Sequence, residues 1–170
     1  MPTYSRRVPG AFGRVLVVDD NKVIRQLIRV NLELEGFEVV TAKDGVECLD
    51  IVHEVRPDVI TLDVVMPRLD GLGAAARLRA DPLTRDVPLA VISACTQSEV
   101  DSGVAAGVDV FLAKPFEPEE LVRIVQQLVI RSRCRNHGGQ RTEAVDDGVP
   151  DAFGDGGKGA GEAERAGRPQ

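Results

Sequence analysis

Short apolar runs alternate along this chain with stretches of helical period. Five runs have the length and the Val, Ile and Leu content of buried strands, and they cover residues 15–18, 37–42, 59–62, 89–92 and 108–113. The stretches that follow them predict helices at about residues 21–35, 45–55, 71–80, 97–106 and 118–131. This alternation predicts βαβ units with right-handed crossovers and a parallel sheet.

Cap residues at the ends of these stretches support the predicted helices. Asp44 is a good N-cap for the second helix, Gly36 ends the first, and Pro118 suits the first turn of the fifth. The fourth helix is the weakest, because it contains Gly103 and no Leu or Ile. We therefore expect low intrinsic stability there, which suits a switch.

Polar residues follow four of the five runs at the point where each strand ends, whereas the second run has no acid at its exit. The residues are Asp19, Asp20, Asp63, Ser93 and Lys114. Because the carboxyl ends of parallel strands meet at one edge of an open sheet, we expect these side chains to lie close together. Carboxylates, a hydroxyl and an ammonium group together indicate a phosphorylation site.

The expected chemistry follows from this clustering. Three carboxylates repel each other unless a cation joins them, and Mg²⁺ prefers oxygen ligands between carboxylates and a phosphoryl group. Asp63 is the best candidate for the nucleophile, since it stands alone at the exit of the middle strand. Lys114 would pair with the incoming phosphoryl group, and the Ser93 hydroxyl would donate a hydrogen bond to it.

Composition and charge favour one folded domain, at residues 13–133. Residues 1–12 contain no apolar run, so we expect a flexible leader, no signal peptide, no membrane association and a cytoplasmic protein. Residues 134–170 are rich in Gly and acidic, and their few large apolar residues predict a disordered tail.

The net charge of −6 disfavours nucleic acid as a partner, so no direct DNA binding is expected.

Cysteine and histidine do not form a second candidate site. The three cysteines are far apart in the sequence without a C-x-x-C pair, which argues against disulfides and zinc. Cys48 and Cys95 are expected to be buried packing residues. His53 lies on the second predicted helix and His137 in the predicted tail, so neither is near the strand ends.

Four motifs in order make the chain resemble a response-regulator receiver domain of the two-component type. The resemblance covers about residues 13–131. The motifs are Val17-Val18-Asp19-Asp20-Asn21, Leu62-Asp63-Val64-Val65-Met66-Pro67 with Asp70-Gly71, Val91-Ile92-Ser93-Ala94, and Phe111-Leu112-Ala113-Lys114-Pro115-Phe116.

The resemblance implies a fold, a ligand and a chemistry. The fold would be a doubly wound α/β sheet of the flavodoxin-like type, with strand order 2-1-3-4-5 and helices on both faces. Asp63 would accept a phosphoryl group from a histidine kinase. Asp20, Asp63 and the Val65 carbonyl would bind Mg²⁺ directly, whereas Asp19 would act largely through water. The Lys114-Pro115 peptide would be cis, which helps to aim the lysine.

The resemblance also implies a switch and its partners. Phosphorylation adds charge and acceptors, so Ser93 should move inward and leave space for the Phe111 ring, which changes the protein-binding surface. We expect a sensor histidine kinase or phosphotransfer protein as donor, an unknown downstream protein as target, and a monomer or a phosphorylation-dependent dimer. The chain would be a stand-alone receiver that catalyses only its own phosphorylation and dephosphorylation. Val65 and Cys95 cannot orient a hydrolytic water well, which predicts slow phosphate loss.

Other interpretations remain open at this level. Asp20 could be a helix N-cap, Ser93 could cap the fourth helix, and Lys114 could be a surface charge. A receiver fold that binds partners without phosphotransfer would have lost an acid or the lysine, and none is lost. A phosphatase of the haloacid-dehalogenase type would need an acid at Val65, and a nucleotide-binding Rossmann domain would need glycines at residues 19–21.

Overall fold

A computed structural model describes residues 12–94 and 96–137, with side chains up to residue 135. These residues form five strands and five helices in strict alternation, as the sequence predicts. The elements are β1 Arg14–Val18, α1 Lys22–Leu34, β2 Glu38–Ala42, α2 Gly45–Val55, β3 Val59–Asp63, α3 Gly71–Ala80, β4 Leu89–Ser93, α4 Gln97–Ala105, β5 Val110–Ala113 and α5 Pro118–His137.

The five strands form one parallel sheet with the order β2-β1-β3-β4-β5. One apolar core lies between the sheet and the helices α2 and α3, and a second lies between the sheet and the helices α1 and α5. The predicted doubly wound fold, with helices on both faces, is therefore confirmed. Every residue of β3 and β4 is buried, which explains why these strands read as continuous apolar runs.

The strand register sets the location of the polar residues. Val18 of β1 pairs with Leu62 of β3, so the residue that follows β1 lies next to the last residue of β3. Asp63 in turn pairs with Ile92 of β4, and Ser93 pairs with Ala113 of β5. The carboxyl ends of four strands thus meet at one edge of the sheet.

Two helix starts differ from the alternatives that the sequence leaves open. The N-cap of α1 is Asn21, whose side chain accepts hydrogen bonds from two backbone N–H groups of the first turn, so Asp20 is not the cap. The N-cap of α4 is Thr96, which forms a capping box with Glu99, so Ser93 is not the cap either. The capping box supports the helix that composition alone marks as weak.

The last helix is longer than the sequence predicts. α5 continues to His137 instead of ending at 131, so the first four residues of the predicted tail are helical. Arg133 in this extension donates a hydrogen bond from Nη2 to the carbonyl of Phe12, at 2.6 Å, which is a contact that no local sequence signal reveals. The predicted leader, apart from residue 12, and residues 138–170 of the predicted tail lie outside the described residues.

Cysteine placement agrees with the sequence where the structure describes it. Cys48 is fully buried, and burial raises the pKa of its thiol to about 12, so it is inert packing. Cys134 is exposed, and Cys95 lies outside the described residues. None of the helices in the described part of the chain is long and apolar enough to cross a membrane.

Candidate functional site

Three carboxylates predicted from the sequence meet at the carboxyl edge of the sheet. Asp19 directly follows β1, Asp63 ends β3, and one carboxylate oxygen from each of Asp19, Asp20 and Asp63 lies within 4.8 Å of the others. Asp19 and Asp63 are buried, whereas Asp20 is exposed. The site is therefore a shallow acidic pocket that is open on one side.

Lys114 places its ammonium group against these carboxylates. Its Nζ lies 3.1 Å from Asp63 Oδ1 and 3.6 Å from Asp19 Oδ2. The backbone N–H of Lys114 donates to the Ser93 carbonyl at 2.7 Å, and the peptide bond to Pro115 is cis, as the resemblance implies. Lys114 is thus part of the pocket, and not a free surface charge.

Burial dominates the electrostatics of the two inner carboxylates. Burial raises the pKa of Asp63 above its usual range, and the negative charge of Asp19 adds to this, whereas the hydrogen bond from Lys114 opposes it. Burial also raises the pKa of Asp19, against the hydrogen bond from the Asn21 backbone and the attraction of Lys114. Lys114 alone therefore does not fully compensate the negative charge of the pocket.

The backbone around Asp63 is closely packed, and a glycine makes this possible. The N–H of Gly71 donates to the Val64 carbonyl at 3.0 Å. A Cβ on Gly71 would lie 2.1 Å from the Asp63 carbonyl oxygen, a distance that no side chain tolerates. Val65, two residues after Asp63, has 74% of its surface exposed.

The two predicted switch residues lie at different depths. Ser93 is buried at the end of β4, beside the backbone of Lys114. Phe111 is partly buried in β5 and belongs to the core on the α2 and α3 side of the sheet. A Cβ on Gly103 of α4 would lie 2.4 Å from the ring atom Cζ of Phe111, so the ring occupies space that the glycine leaves open.

The donor set of the pocket fits a hard divalent cation. All three side chains offer carboxylate oxygens, and the buried Asp19 Oδ2 has no hydrogen bond, since its contact with Lys114 Nζ is 3.6 Å long. A buried carboxylate oxygen is costly unless it is both paired and hydrogen-bonded, and a metal ion in the pocket would add the direct contact that Lys114 does not make. Among the described residues, these three form the one acidic cluster with metal-binding spacing.

The sequence does not reveal a contact between the loop that follows Asp63 and the start of α2. Asp44 was predicted as an N-cap, and it does cap α2, but it also accepts hydrogen bonds from Arg68, 24 residues away. Such a separation leaves no periodic signal. His53, which was set aside, lies outside the pocket and pairs with Asp81 at 2.9 Å.

Comparison with known proteins assigns the fold to a family. The chain matches the family model of the response regulator receiver domain over residues 15–126, and it belongs to that family. It is 43% identical over 120 residues to the response regulator MprA of Mycobacterium sp. strain KMS, and 43% identical over 121 residues to the protein of the same name in Mycobacterium tuberculosis strain H37Ra. These matches cover 70% and 71% of the chain.

Solved structures of receivers superpose on the same part of the chain. A response regulator of Chloroflexus aurantiacus gives a TM-score of 0.67 at 34% identity, over 70% of this chain and 98% of that one. The chemotaxis protein CheY4 of Vibrio cholerae gives 0.66 at 34% identity, over 69% and 99%. The receiver domain of the sensor histidine kinase PA1611 of Pseudomonas aeruginosa, which has a magnesium ion in its active-site cleft, gives 0.64 at 33%, over 69% and 97%.

The comparisons correct one prediction about partners. The matched stretch spans only 51% and 52% of the two MprA proteins, so the chain corresponds to about half of these curated relatives. The MprA proteins have a DNA-binding output domain outside the matched receiver, so the net charge of a receiver does not decide whether such a protein binds DNA. The prediction of no direct DNA binding is therefore wrong, and that of a stand-alone receiver stays a prediction.

Proposed function

We propose that this receiver accepts a phosphoryl group on Asp63 from a histidine kinase or phosphotransfer protein and signals through a changed protein-binding surface. The main support is the contact between Lys114 Nζ and Asp63 Oδ1 at 3.1 Å, beside two further carboxylates. This arrangement offers a nucleophile together with a positive charge for the product. A structural ion pair alone would not need the other two acids.

The proposed chemistry is an in-line transfer. The Asp63 carboxylate attacks the phosphorus of a phosphohistidine, so that a P–O bond forms while the P–N bond breaks and the imidazole nitrogen keeps the electron pair. Lys114 then moves its hydrogen bond from the carboxylate to the new phosphoryl oxygens, and the Ser93 hydroxyl donates to them from the end of β4. The product is an aspartyl phosphate.

Magnesium is the proposed cofactor. Asp20, Asp63 and the backbone carbonyl of Val65 would hold the ion directly, and Asp19 would hold it largely through water. When bound, Mg²⁺ supplies positive charge that offsets the repulsion among the carboxylates and stabilises the charge of the phosphoryl oxygens. The buried Asp19 Oδ2, which has no hydrogen bond and lies 3.6 Å from Lys114 Nζ, supports this assignment.

A groove next to the pocket fits a helical phosphoryl donor. It has a volume of about 390 Å³ and is lined by Ile24, Leu27, Lys114, Pro115 and Phe116. An exposed apolar stripe continues from it along α1, and we call it the α1 stripe: Val23, Leu27, Val30 and Leu34. Their spacing of four, three and four residues puts them on one helix face, as an interhelical contact requires.

The proposed output surface includes α4, β5 and α5. Inward movement of Ser93 would open space beside Phe111, and the ring would leave its position against Gly103. The capping box stabilises the start of α4, whereas this glycine weakens the rest of the helix. The helix can therefore rearrange while the sheet stays intact. The surface presented to a downstream protein would then change.

Incubation with a small phosphodonor tests the proposal directly. Wild-type protein in acetyl phosphate and Mg²⁺ should gain the mass of one phosphoryl group, and the bond should be stable in acid and labile in base. Asp63→Asn is the negative control, because it keeps the shape of the side chain. A folded wild-type protein that gains no phosphoryl group, from this donor or from a matched kinase, would leave only a phosphorylation-independent binding module.

A further inference from the structure

The loop that follows Asp63 is tied to the start of α2 by an ion pair. Arg68 donates to Asp44 Oδ2 from Nε at 2.9 Å and also from Nη2. Asp44 has only 2% of its surface exposed, although it lies outside the acidic pocket. The backbone N–H of Gly45 adds a second tie, to the Leu69 carbonyl at 3.3 Å.

Backbone strain and a close backbone approach accompany this ion pair. Arg68 has a φ of 66°, in the left-handed region, which costs a residue with a side chain about 1 kcal/mol or more. A Cβ on Gly45 would lie 2.7 Å from the Leu69 carbonyl oxygen, so the two segments approach as closely as backbone allows. Residues 64–70 therefore include one strained position, Arg68, and it is the residue whose side chain pairs with Asp44.

Helix capping alone does not explain the burial of Asp44. Its Oδ1 accepts the Glu47 N–H at 2.9 Å, which is sufficient for an N-cap, while Oδ2 is used by Arg68. Burial raises the pKa of Asp44, but the hydrogen bonds from Glu47 and Arg68 outweigh it and hold the pKa below its usual range. The carboxylate is thus charged at neutral pH and available for the arginine.

The loop matters because of what it contains. It starts directly after Asp63 and includes the Val65 carbonyl, and Gly71 closes it through the hydrogen bond to Val64. A displacement of about 1 Å at a reacting group can cost on the order of 10²-fold in rate. A partly exposed arginine at the other end of the loop can therefore affect chemistry that it does not touch.

We propose that Arg68 is a positioning residue for phosphoryl transfer, and that its pairing with Asp44 fixes the loop 64–70 against α2 so that Asp63 and the Val65 carbonyl keep their productive geometry. This inference rests on the proposed function. Arg68 itself contacts neither Asp63 nor the donor.

Three single variants, the combination of Arg68→Ala with Asp44→Asn, and two controls test the proposal in the full chain. Arg68→Ala removes the pair, Arg68→Lys keeps the charge without the fork of donors, and Asp44→Asn removes the charge but keeps an equally good N-cap. Arg85→Ala is the matched control, since Arg85 is 62% exposed and lies 3.7 Å from Asp86 in the connection between α3 and β4. Thr84→Val is a destabilised control, because it loses only a buried hydrogen bond to the Leu78 carbonyl.

Two readouts separate positioning from stability. The first is the phosphorylation rate with acetyl phosphate, at saturating donor and saturating Mg²⁺, measured by mass spectrometry. The second is amide hydrogen exchange of residues 64–70 without donor or metal. Arg68→Ala and Asp44→Asn should each lower the maximal rate about tenfold and accelerate exchange in the loop, the double variant should be no slower than either, and Arg68→Lys should fall in between.

The outcomes distinguish this inference from the proposed function. Rates within twofold of wild type in Arg68→Ala and Asp44→Asn would overturn the inference, as would a loss of rate that Thr84→Val reproduces at equal stability. Unchanged exchange in the loop would overturn it too. A wild-type protein that takes up no phosphoryl group overturns the proposed function and this inference with it.

Discussion

At the scale of single residues, the acidic pocket trades stability for reactivity. Asp19 and Asp63 are buried side by side with raised pKa values, and Lys114 is the one cation of the described residues that contacts both. Apolar residues of similar size would make a more stable sheet edge. The fold keeps charged groups there, which is the expected signature of a functional site.

Asp63→Asn should stabilise the protein in the absence of Mg²⁺. Because the folded-state pKa of Asp63 is raised above its unfolded value, the ionised group disfavours folding at neutral pH, and protonation relieves this cost as the pH falls through the folded pKa. We expect the variant to gain about 1 kcal/mol or less at pH 7, measured by urea unfolding in EDTA. The gain should shrink below the folded pKa.

Added Mg²⁺ should make the wild-type protein more stable than Asp63→Asn. The ion should raise the unfolding midpoint of wild type more than that of Asp63→Asn, because the variant has lost one carboxylate ligand. Sodium chloride at equal ionic strength controls for screening. An equal response of both proteins to Mg²⁺ would contradict the assignment of Asp63 as a ligand.

Val65→Asn should shorten the lifetime of the phosphorylated protein. The Val65 side chain is exposed and cannot hydrogen-bond to water, whereas an amide side chain two residues after Asp63 could orient the attacking water. We expect the rate of phosphate loss in excess Mg²⁺ to rise up to about tenfold, at almost unchanged stability. Val104→Asn, at another exposed valine, is the control. A wild-type half-life of seconds would already contradict slow loss.

At the scale of elements, the helices differ in what they hold together. α1 and α5 cover one face of the sheet with buried apolar side chains. α4 contributes one buried residue, Gly103, and depends on its capping box. Helices with few buried contacts open first. α4 is therefore the element that can change at the smallest cost to the fold.

Leu27→Glu should slow phosphoryl transfer from a protein donor but not from acetyl phosphate. Leu27 lies in both the groove and the α1 stripe, so a charge there should weaken docking of a protein donor by about tenfold or more in kcat/KM. Acetyl phosphate needs no docking surface, so its rate should not change. Leu83→Glu, at an exposed leucine before β4, is the control. Equal transfer from the kinase to wild type and Leu27→Glu would exclude this docking surface.

Gly103→Ala should destabilise the protein although alanine favours helices. The added Cβ meets the Phe111 ring at 2.4 Å, and overpacking of this kind costs about 1 to 3 kcal/mol, more than the ~1 kcal/mol gained in helix propensity. In a Phe111→Leu background, which lacks the ring, the same change should be neutral or stabilising. Urea unfolding of the four proteins measures this, and an equal loss in both backgrounds would contradict it.

At the scale of the whole molecule, the sequence predicts what depends on period and topology. Strand runs, helix stripes and the rule that parallel strands collect ligands at their carboxyl ends were enough to bring Asp19, Asp63 and Lys114 together. Contacts between distant segments were not predictable, because nothing local encodes the pair of Arg68 and Asp44. The role of Gly71 was missed for the same reason. A glycine at the start of a helix gives the same sequence signal whether or not a backbone carbonyl packs against it.

The end of α5 supplies the last prediction, on which part of the chain the receiver needs. A chain cut after residue 137 should keep wild-type stability and phosphorylation, because the sheet, both cores and the pocket consist of described residues before that point. A cut after residue 131 also removes the hydrogen bond from Arg133 to Phe12, and should lose about 1 kcal/mol in urea unfolding. Arg133→Ala in the full chain should reproduce most of that loss. If the longer fragment unfolds or takes up no phosphoryl group, residues 138–170 are part of the functional unit, and the boundary inferred from composition is wrong.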